Sequence, residues 1–208
     1  EQNYYQAIYC YHLAAQQNLD DSQYDLGVMY AFGQGVVSDN MQAFKWCRMA
    51  AEQGHVDAQH NLGFMYAKGE GTEADPFEAV KWYRLAAEQG DCDAQYNLGS
   101  MYVNGEEIPQ DYEEARHWWT KAAENGNAAA QYNLGVMYVF GYGVEKNDKE
   151  AIKWWSKAVE QGYTDAQYNL GGMYALGRGV PKDYIKAYVW LRLPADKGHA
   201  DAQKVLKS

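Results

Sequence analysis

The sequence predicts an all-α protein, a right-handed α/α superhelix (solenoid) of 36-residue helix–turn–helix repeats. Three observations predict it. The hexapeptide AQYNLG stands at 94–99, 130–135 and 166–171, and a near copy, AQHNLG, at 58–63, always 36 residues apart. The same step carries leucine from Leu26 through Leu62, Leu98, Leu134 and Leu170 to Leu206 without an insertion. It also carries tryptophan from Trp46 through Trp82, Trp118 and Trp154 to Trp190. A fixed period of this length marks supersecondary units that bury their apolar faces by stacking on neighbours.

Each unit divides into two helices and two connections. Ala58, Leu62, Met65 and Tyr66 fall at i, i+4, i+7 and i+8, one face of a first helix, helix A. Ala79, Trp82, Ala86 and Ala87 fall at i, i+3, i+7 and i+8, one face of a second, helix B. Between them lie paired glycines, Gly69/Gly71, with equivalents Gly33/Gly35, Gly141/Gly143 and Gly177/Gly179. They predict a helix stop with positive φ, then a turn. Helix B starts at a column of cap residues: Asn3, Asp39, Asp75, Asp111, Asn147 and Asp183. Three residues later stand Gln6, Gln42, Glu78, Glu114, Glu150 and Lys186, which predicts a capping-box-like pair in all but the last. Helix B stops at Gly54, Gly90, Gly126 and Gly162, each placed for an αL cap. Helix A opens beside Asp57, Asp93, Asp165 or Asp201, favourable at the positive end of the helix dipole. A glycine inside helix A costs roughly 1 kcal/mol against alanine. Its return at Gly27, Gly63, Gly99, Gly135 and Gly171 predicts close helix approach there.

The repeats place one solenoid over residues 1–208. A partial repeat, 1–21, supplies a helix B. Five full repeats follow at 22–57, 58–93, 94–129, 130–165 and 166–201, with a stub of helix A at 202–208.

Read as A-x-x-x-L-G-x-M-Y-x-x-G-x-G-V-x-x-D-x-x-x-A-x-x-W-x-x-x-A-A-x-x-G, the unit resembles the Sel1-like repeat, a 36-residue relative of the tetratricopeptide repeat. The resemblance covers essentially the whole chain. It implies a non-enzymatic adaptor that holds protein partners on a concave surface. Members occur in bacteria and eukaryotes, in signalling, envelope and host-interaction roles. Some bacterial members carry a regular cysteine pair in each repeat. Cys10, Cys47 and Cys92 show no such pattern, so three free thiols are expected and the compartment stays open, bacterial periplasm, secreted or cytoplasmic.

Three departures from the period stand out. Glu107 replaces the second turn glycine, Pro194 replaces a helix B alanine and should kink or end that helix, and neither end has a polar capping helix. The last point predicts a segment of a longer solenoid, or ends covered by something else.

Composition sets the classes of partner. A net charge of -10 and a pI of about 4.9 repel phosphate, so nucleic acid is not expected. No run of 18 apolar residues exists, so no membrane insertion is expected. No signal peptide is visible, and the chain begins mid-repeat, so a leader could precede it. No catalytic, metal-ligating or cofactor-binding constellation emerges. His12, His55, His60, His117 and His199 form no metal motif, and the GQGV, GYGV and GRGV turns have no Lys-Ser/Thr after them.

By the same resemblance helix A lines the groove, in four columns. One is Tyr24, His60, Tyr96, Tyr132 and Tyr168; a second is Asp25, Asn61, Asn97, Asn133 and Asn169. These are nearly constant, and bracing between helices is favoured over contact with a peptide backbone. The third is Val28, Phe64, Ser100, Val136 and Gly172; the fourth is Phe32, Lys68, Asn104, Phe140 and Leu176. These vary, and Phe32, Phe64, Phe140 and Leu176, with Tyr142 nearby, make the best candidates for gripping a protein or peptide partner. The alternatives are a structural spacer that self-associates through uncapped ends or its convex Trp/Tyr surface, and, more weakly, an enzyme acting on cell-wall fragments.

Overall fold

The computed structural model describes residues 2–105 and 108–207, with side chains from 8 to 105 and from 108 to 206. Glu107 and the side chains of Asn3 and Gln6 lie outside that set. Among the described residues every regular element is helical. The order is α1 (Gln2–Ala15), α2 (Asp20–Phe32), α3 (Asn40–Glu52), α4 (Val56–Lys68), α5 (Pro76–Glu88), α6 (Cys92–Asn104), α7 (Tyr112–Glu124), α8 (Ala128–Phe140), α9 (Asp148–Glu160), α10 (Thr164–Leu176), α11 (Tyr184–Asp196) and α12 (Ala200–Lys207). Even-numbered helices are helix A and odd-numbered ones helix B. The chain forms two compact units, residues 1–109 with α1–α6 and residues 110–208 with α7–α12. Within each, every helix packs on the next. Among the described residues no helix is long and apolar enough to cross a membrane.

The small residues of helix A let its neighbours close in. Ala58, Ala94, Ala130 and Ala166 are fully buried, and Leu26, Leu62, Leu98 and Leu134 almost so. Each such leucine is worth about 1.5–3 kcal/mol of burial. The mid-helix glycines sit against helix B: a Cβ on Gly135 would lie 2.2 Å from Nε1 of Trp155, and one on Gly63 2.8 Å from the Tyr83 ring. The turn glycines have a related reason. Gly71 has φ +73°, and a Cβ there would overlap the Asn40 carbonyl at the start of α3.

The helix B caps form at Asp39, Asp75, Asp111, Asn147 and Asp183, where one side-chain oxygen accepts from two backbone N–H groups. Such a cap is worth about 1 kcal/mol. At Asp39, Asp75 and Asn147 the expected reciprocal arm is not made. The backbone N–H of Asp39, Asp75, Asn147 and Asp183 donates to the carbonyl of Tyr30, Tyr66, Tyr138 and Tyr174, which closes the A–B turn. The third-position carboxylate is thereby released to another donor. Trp82 Nε1 donates to Glu78 and Trp118 Nε1 to Glu114, both at 3.0 Å. Where that position is Gln42, Trp46 Nε1 is buried without a partner.

Pro194 does not end its helix. α11 keeps the 13 residues of its equivalents and runs on to Asp196. Pro194 lies in the last turn, so one backbone hydrogen bond is forfeited and little helix remains to be disrupted. Its ring is buried, and its carbonyl accepts from the His199 N–H.

A buried glutamine ladder joins the repeats. Gln23, Gln59, Gln95 and Gln131 are nine-tenths buried or more. Their Nε2 groups donate to the carbonyls of Ala15, Ala51, Ala87 and Ala123 at the end of the preceding helix B. Each of those carbonyls also accepts from a turn N–H, of Asn18, Gly54, Gly90 or Gly126, so the amide takes its second lone pair. Gln23, Gln59 and Gln131 in turn accept from Gln53, Gln89 and Gln161 at the end of their own helix B. In the repeat of Gln167 the last place is Lys197, and Gln167 Oε1 has no partner.

Candidate protein-binding surface

The nearly constant columns bond to one another between consecutive repeats. In the first unit Asn61 Nδ2 donates to the Tyr24 hydroxyl at 3.4 Å, and Asn97 Nδ2 lies 3.1 Å from His60 Nε2. In the second, Asn169 stands beside the Tyr132 hydroxyl. Burial raises the pKa of Tyr24 and Tyr132, so both hydroxyls stay protonated. The rings stack on the residue that precedes the next helix A. Tyr24 lies on His55 at 4.6 Å, Tyr132 on Tyr163 at 5.1 Å, and Tyr168 on His199 at 4.7 Å. His60 has no such ring ahead of it and tilts against Tyr83 at 5.6 Å. Tyr96 and Asn133 are half-buried, as are the other members of these columns.

At four of the positions that precede helix A stand side-chain caps that sequence reasoning missed. His55 Nδ1, Asp91, Asn127 and His199 Nδ1 accept from the backbone N–H three residues on. His55 therefore carries its ring proton on Nε2, which lies 3.3 Å from Asp21. Read by 36, the column is Leu19, His55, Asp91, Asn127, Tyr163 and His199. The spacing was the signal, and the mixed chemistry concealed it. His117 is exposed, stacked edge-on against Trp118.

The variable columns stand further out. In the first unit Phe32, Phe64, Lys68 and Asn104 are exposed, while Val28 and Ser100 are half-buried. In the second unit a recess of about 340 Å³ brings Phe140, Tyr168, Asn169 and Leu176 together. Val139 and Val205 complete its rim, and Trp155, Met173 and Leu191 form its floor. Gly172 makes the space, since a Cβ there would meet nothing within 4 Å. Phe140 is stacked on Tyr142 at 5.6 Å, and Tyr142 on Tyr112 at 5.2 Å, so three rings lie in series beside the recess. Among the described residues the one charged group in the lining is Arg178, held by Asp148 at 2.7 and 3.1 Å. The recess therefore offers apolar area with a Tyr/Asn edge, suited to an apolar side chain on a polar backbone. Among the described residues no three His, Cys, Asp or Glu gather into a group that could hold a metal ion.

Comparison with known proteins gives the family. The Sel1 repeat model matches six times, at residues 1–19, 20–55, 56–91, 92–127, 128–163 and 164–199. A protective antigen of uropathogenic Escherichia coli strains with the same fold is 41% identical, with a TM-score of 0.90. The match covers 93% of this chain and 41% of that one, so the chain spans less than half the length of that relative. A Sel1 repeat protein from Oxalobacter formigenes is 40% identical, with a TM-score of 0.79, over 91% of this chain and 77% of that one. An immunity protein from Pseudomonas aeruginosa is 28% identical, with a TM-score of 0.51, over 88% and 67%. A comparison with curated protein sequences found no match. Sel1 repeat proteins are in general non-enzymatic scaffolds for protein interaction, and no catalytic family is indicated here. With repeat matches along almost its whole length and the helix pairs to accompany them, the chain belongs to the Sel1 repeat family.

Proposed function

We propose that this chain is an adaptor that grips a peptide or protein partner on its helix A surface, with the recess among α8, α10 and α12 as the anchoring pocket. One observation supports this above the rest: Phe140 and Leu176 stand 55% and 69% exposed at the mouth of an apolar recess that no described side chain fills. A single exposed apolar residue means little, but two beside a cavity mark a place where a partner gains by burial. Tyr168 and Asn169 at the edge supply amphipathic area and hydrogen bonding for the partner's backbone. Phe32 and Phe64 in the first unit, with Lys68 and Asn104, extend the reading to a second contact region.

The experiment is affinity capture from source lysate by the intact chain and by a Phe140→Ser, Leu176→Ser variant of equal helicity. A protein held by the intact chain and lost from the variant supports the recess. Equal retention by both refutes it.

A further inference from the structure

On helix B, the residues 36 apart from Ile185, Val189 and Leu193 face solvent even where another repeat follows. In α9 they are Lys149, Lys153 and Lys157, all exposed. α3, α5 and α7 each put at least one charged side chain on this row as well: Lys45, Lys81, and Glu113 with Lys121. Among the helix B rows only that of α11 and that of α1 (Tyr5, Tyr9 and Leu13) have none. The row of α11 is Ile185, Val189 and Leu193, 80%, 49% and 42% exposed. Stacking a further repeat would not account for this row, because the equivalent positions of α9 stay exposed with α11 already in place. A solvent-facing row of branched aliphatics at i, i+4 and i+8 is the face of a helix that expects a cover.

The neighbouring row states the chemistry of that cover. α9 and α11 both pack on α10, and Trp190 of α11 reaches the core around Ala151 and Trp155 of α9. Three lysines at i, i+4 and i+8 on α9 thus hold the repeat positions that three aliphatics hold on α11, the next helix B. The charge is local: residues 110–208 hold 13 Lys and Arg against 12 Asp and Glu, while residues 1–109 hold 5 against 16. We propose that the outer face of α9 and α11 is a docking site for an amphipathic helix of another protein, whose apolar ridge covers Ile185, Val189 and Leu193 and whose acidic flank meets Lys149, Lys153 and Lys157. The partner is a helix because both rows have helical period, and adjacent ridges receive a third ridge between them. It is acidic by charge complementarity. An extended anionic bilayer is disfavoured, since it would repel a chain of net charge -10 as a whole.

The test uses the full chain and a displayed library of random 15-residue peptides, sorted for binding at low salt. Enriched peptides are expected to be net acidic, with apolar residues at i, i+3 or i+4, and i+7. Each, made synthetically, should lose at least about tenfold in affinity for Ile185→Ser, Val189→Ser, Leu193→Ser, and again for Lys149→Glu, Lys153→Glu, Lys157→Glu. Phe140→Ser should bind them as well as wild type, which separates this site from the recess. Circular dichroism confirms that all variants are equally helical, and the lysine variant tests the site without touching the apolar row. Enriched peptides that lack the acid or the helical period, or that bind the variants undiminished, overturn the proposal. So does a dimer by sedimentation velocity that the serine variant dissolves, which gives the row to a second copy. So does binding to phosphatidylserine vesicles lost in that same variant, which gives it to a lipid surface.

Discussion

Replacing Gly135 by alanine should destabilise the second unit, and replacing Gly172 should stabilise it. Both glycines sit inside helix A, where alanine is favoured by about 1 kcal/mol on helix propensity. At Gly172 nothing opposes that gain, because a Cβ meets no atom within 4 Å. At Gly135 the new Cβ would lie 2.2 Å from Trp155 Nε1 and 2.4 Å from its Cδ1. The indole must retreat by about 1 Å to restore ordinary contact. It is rigid, 3% exposed, and anchored by a 3.0 Å bond from Nε1 to the Tyr132 carbonyl. Overpacking costs about 1–3 kcal/mol, and a strained or lost hydrogen bond about 1 more. After the propensity gain, Gly135→Ala should lose about 1–3 kcal/mol. Urea unfolding followed by circular dichroism reads the pair, with amide exchange in α8 and α10 as a local check, since repeat arrays depart from two-state behaviour. A Gly135→Ala protein as stable as wild type would refute the close-approach reading. So would a Gly172→Ala protein that falls as far as its neighbour.

Buried groups carry three further predictions. Lys197→Gln should give the orphaned Gln167 oxygen the donor that Gln161 gives Gln131, and raise the stability of the second unit by up to about 1 kcal/mol in the same urea assay. Burial pushes the Cys47 thiol up to about 12 from its ordinary 9.0, so its contribution to stability is complete below pH 9.0 and is lost as pH rises toward 12. Between those limits wild type should lose more stability than Cys47→Ala. At pH 8 a thiol reagent should modify exposed Cys10 in the native protein and reach Cys47 only on unfolding, which mass spectrometry after digestion decides.

The elements were legible because each rests on one residue type returning at one interval. Asp39, Asp75, Asp111, Asn147 and Asp183 are all good caps, and all cap. The helix A caps were hidden because His55, Asn127 and Asp91 do the same work with different chemistry. The capping box failed for a non-local reason: the N–H it needs is spent on a tyrosine carbonyl nine residues back. Gln59 and its equivalents were passed over because a polar residue in a repeated motif reads as solvated surface, and only the packed neighbour shows the carbonyl it caps. The helix A columns were legible as positions. That Phe140 and Leu176 share a cavity, while Phe32 simply stands exposed, depends on Gly172 and the placement of Trp155, which spacing does not encode.

The glutamine ladder gives the molecule a direction in time as well as in space. Each finished helix B ends on a carbonyl that the glutamine of the following repeat satisfies, so whatever has already folded presents an acceptor to whatever comes next. A ribosome adds 36 residues in about 2–7 s, while a helix of this length forms in about a microsecond. Each hairpin can therefore settle onto its predecessor before the next has been synthesised. That carbonyl's free lone pair would then act as a seat for vectorial growth, and misregistered stacking would leave a buried amide unpaired.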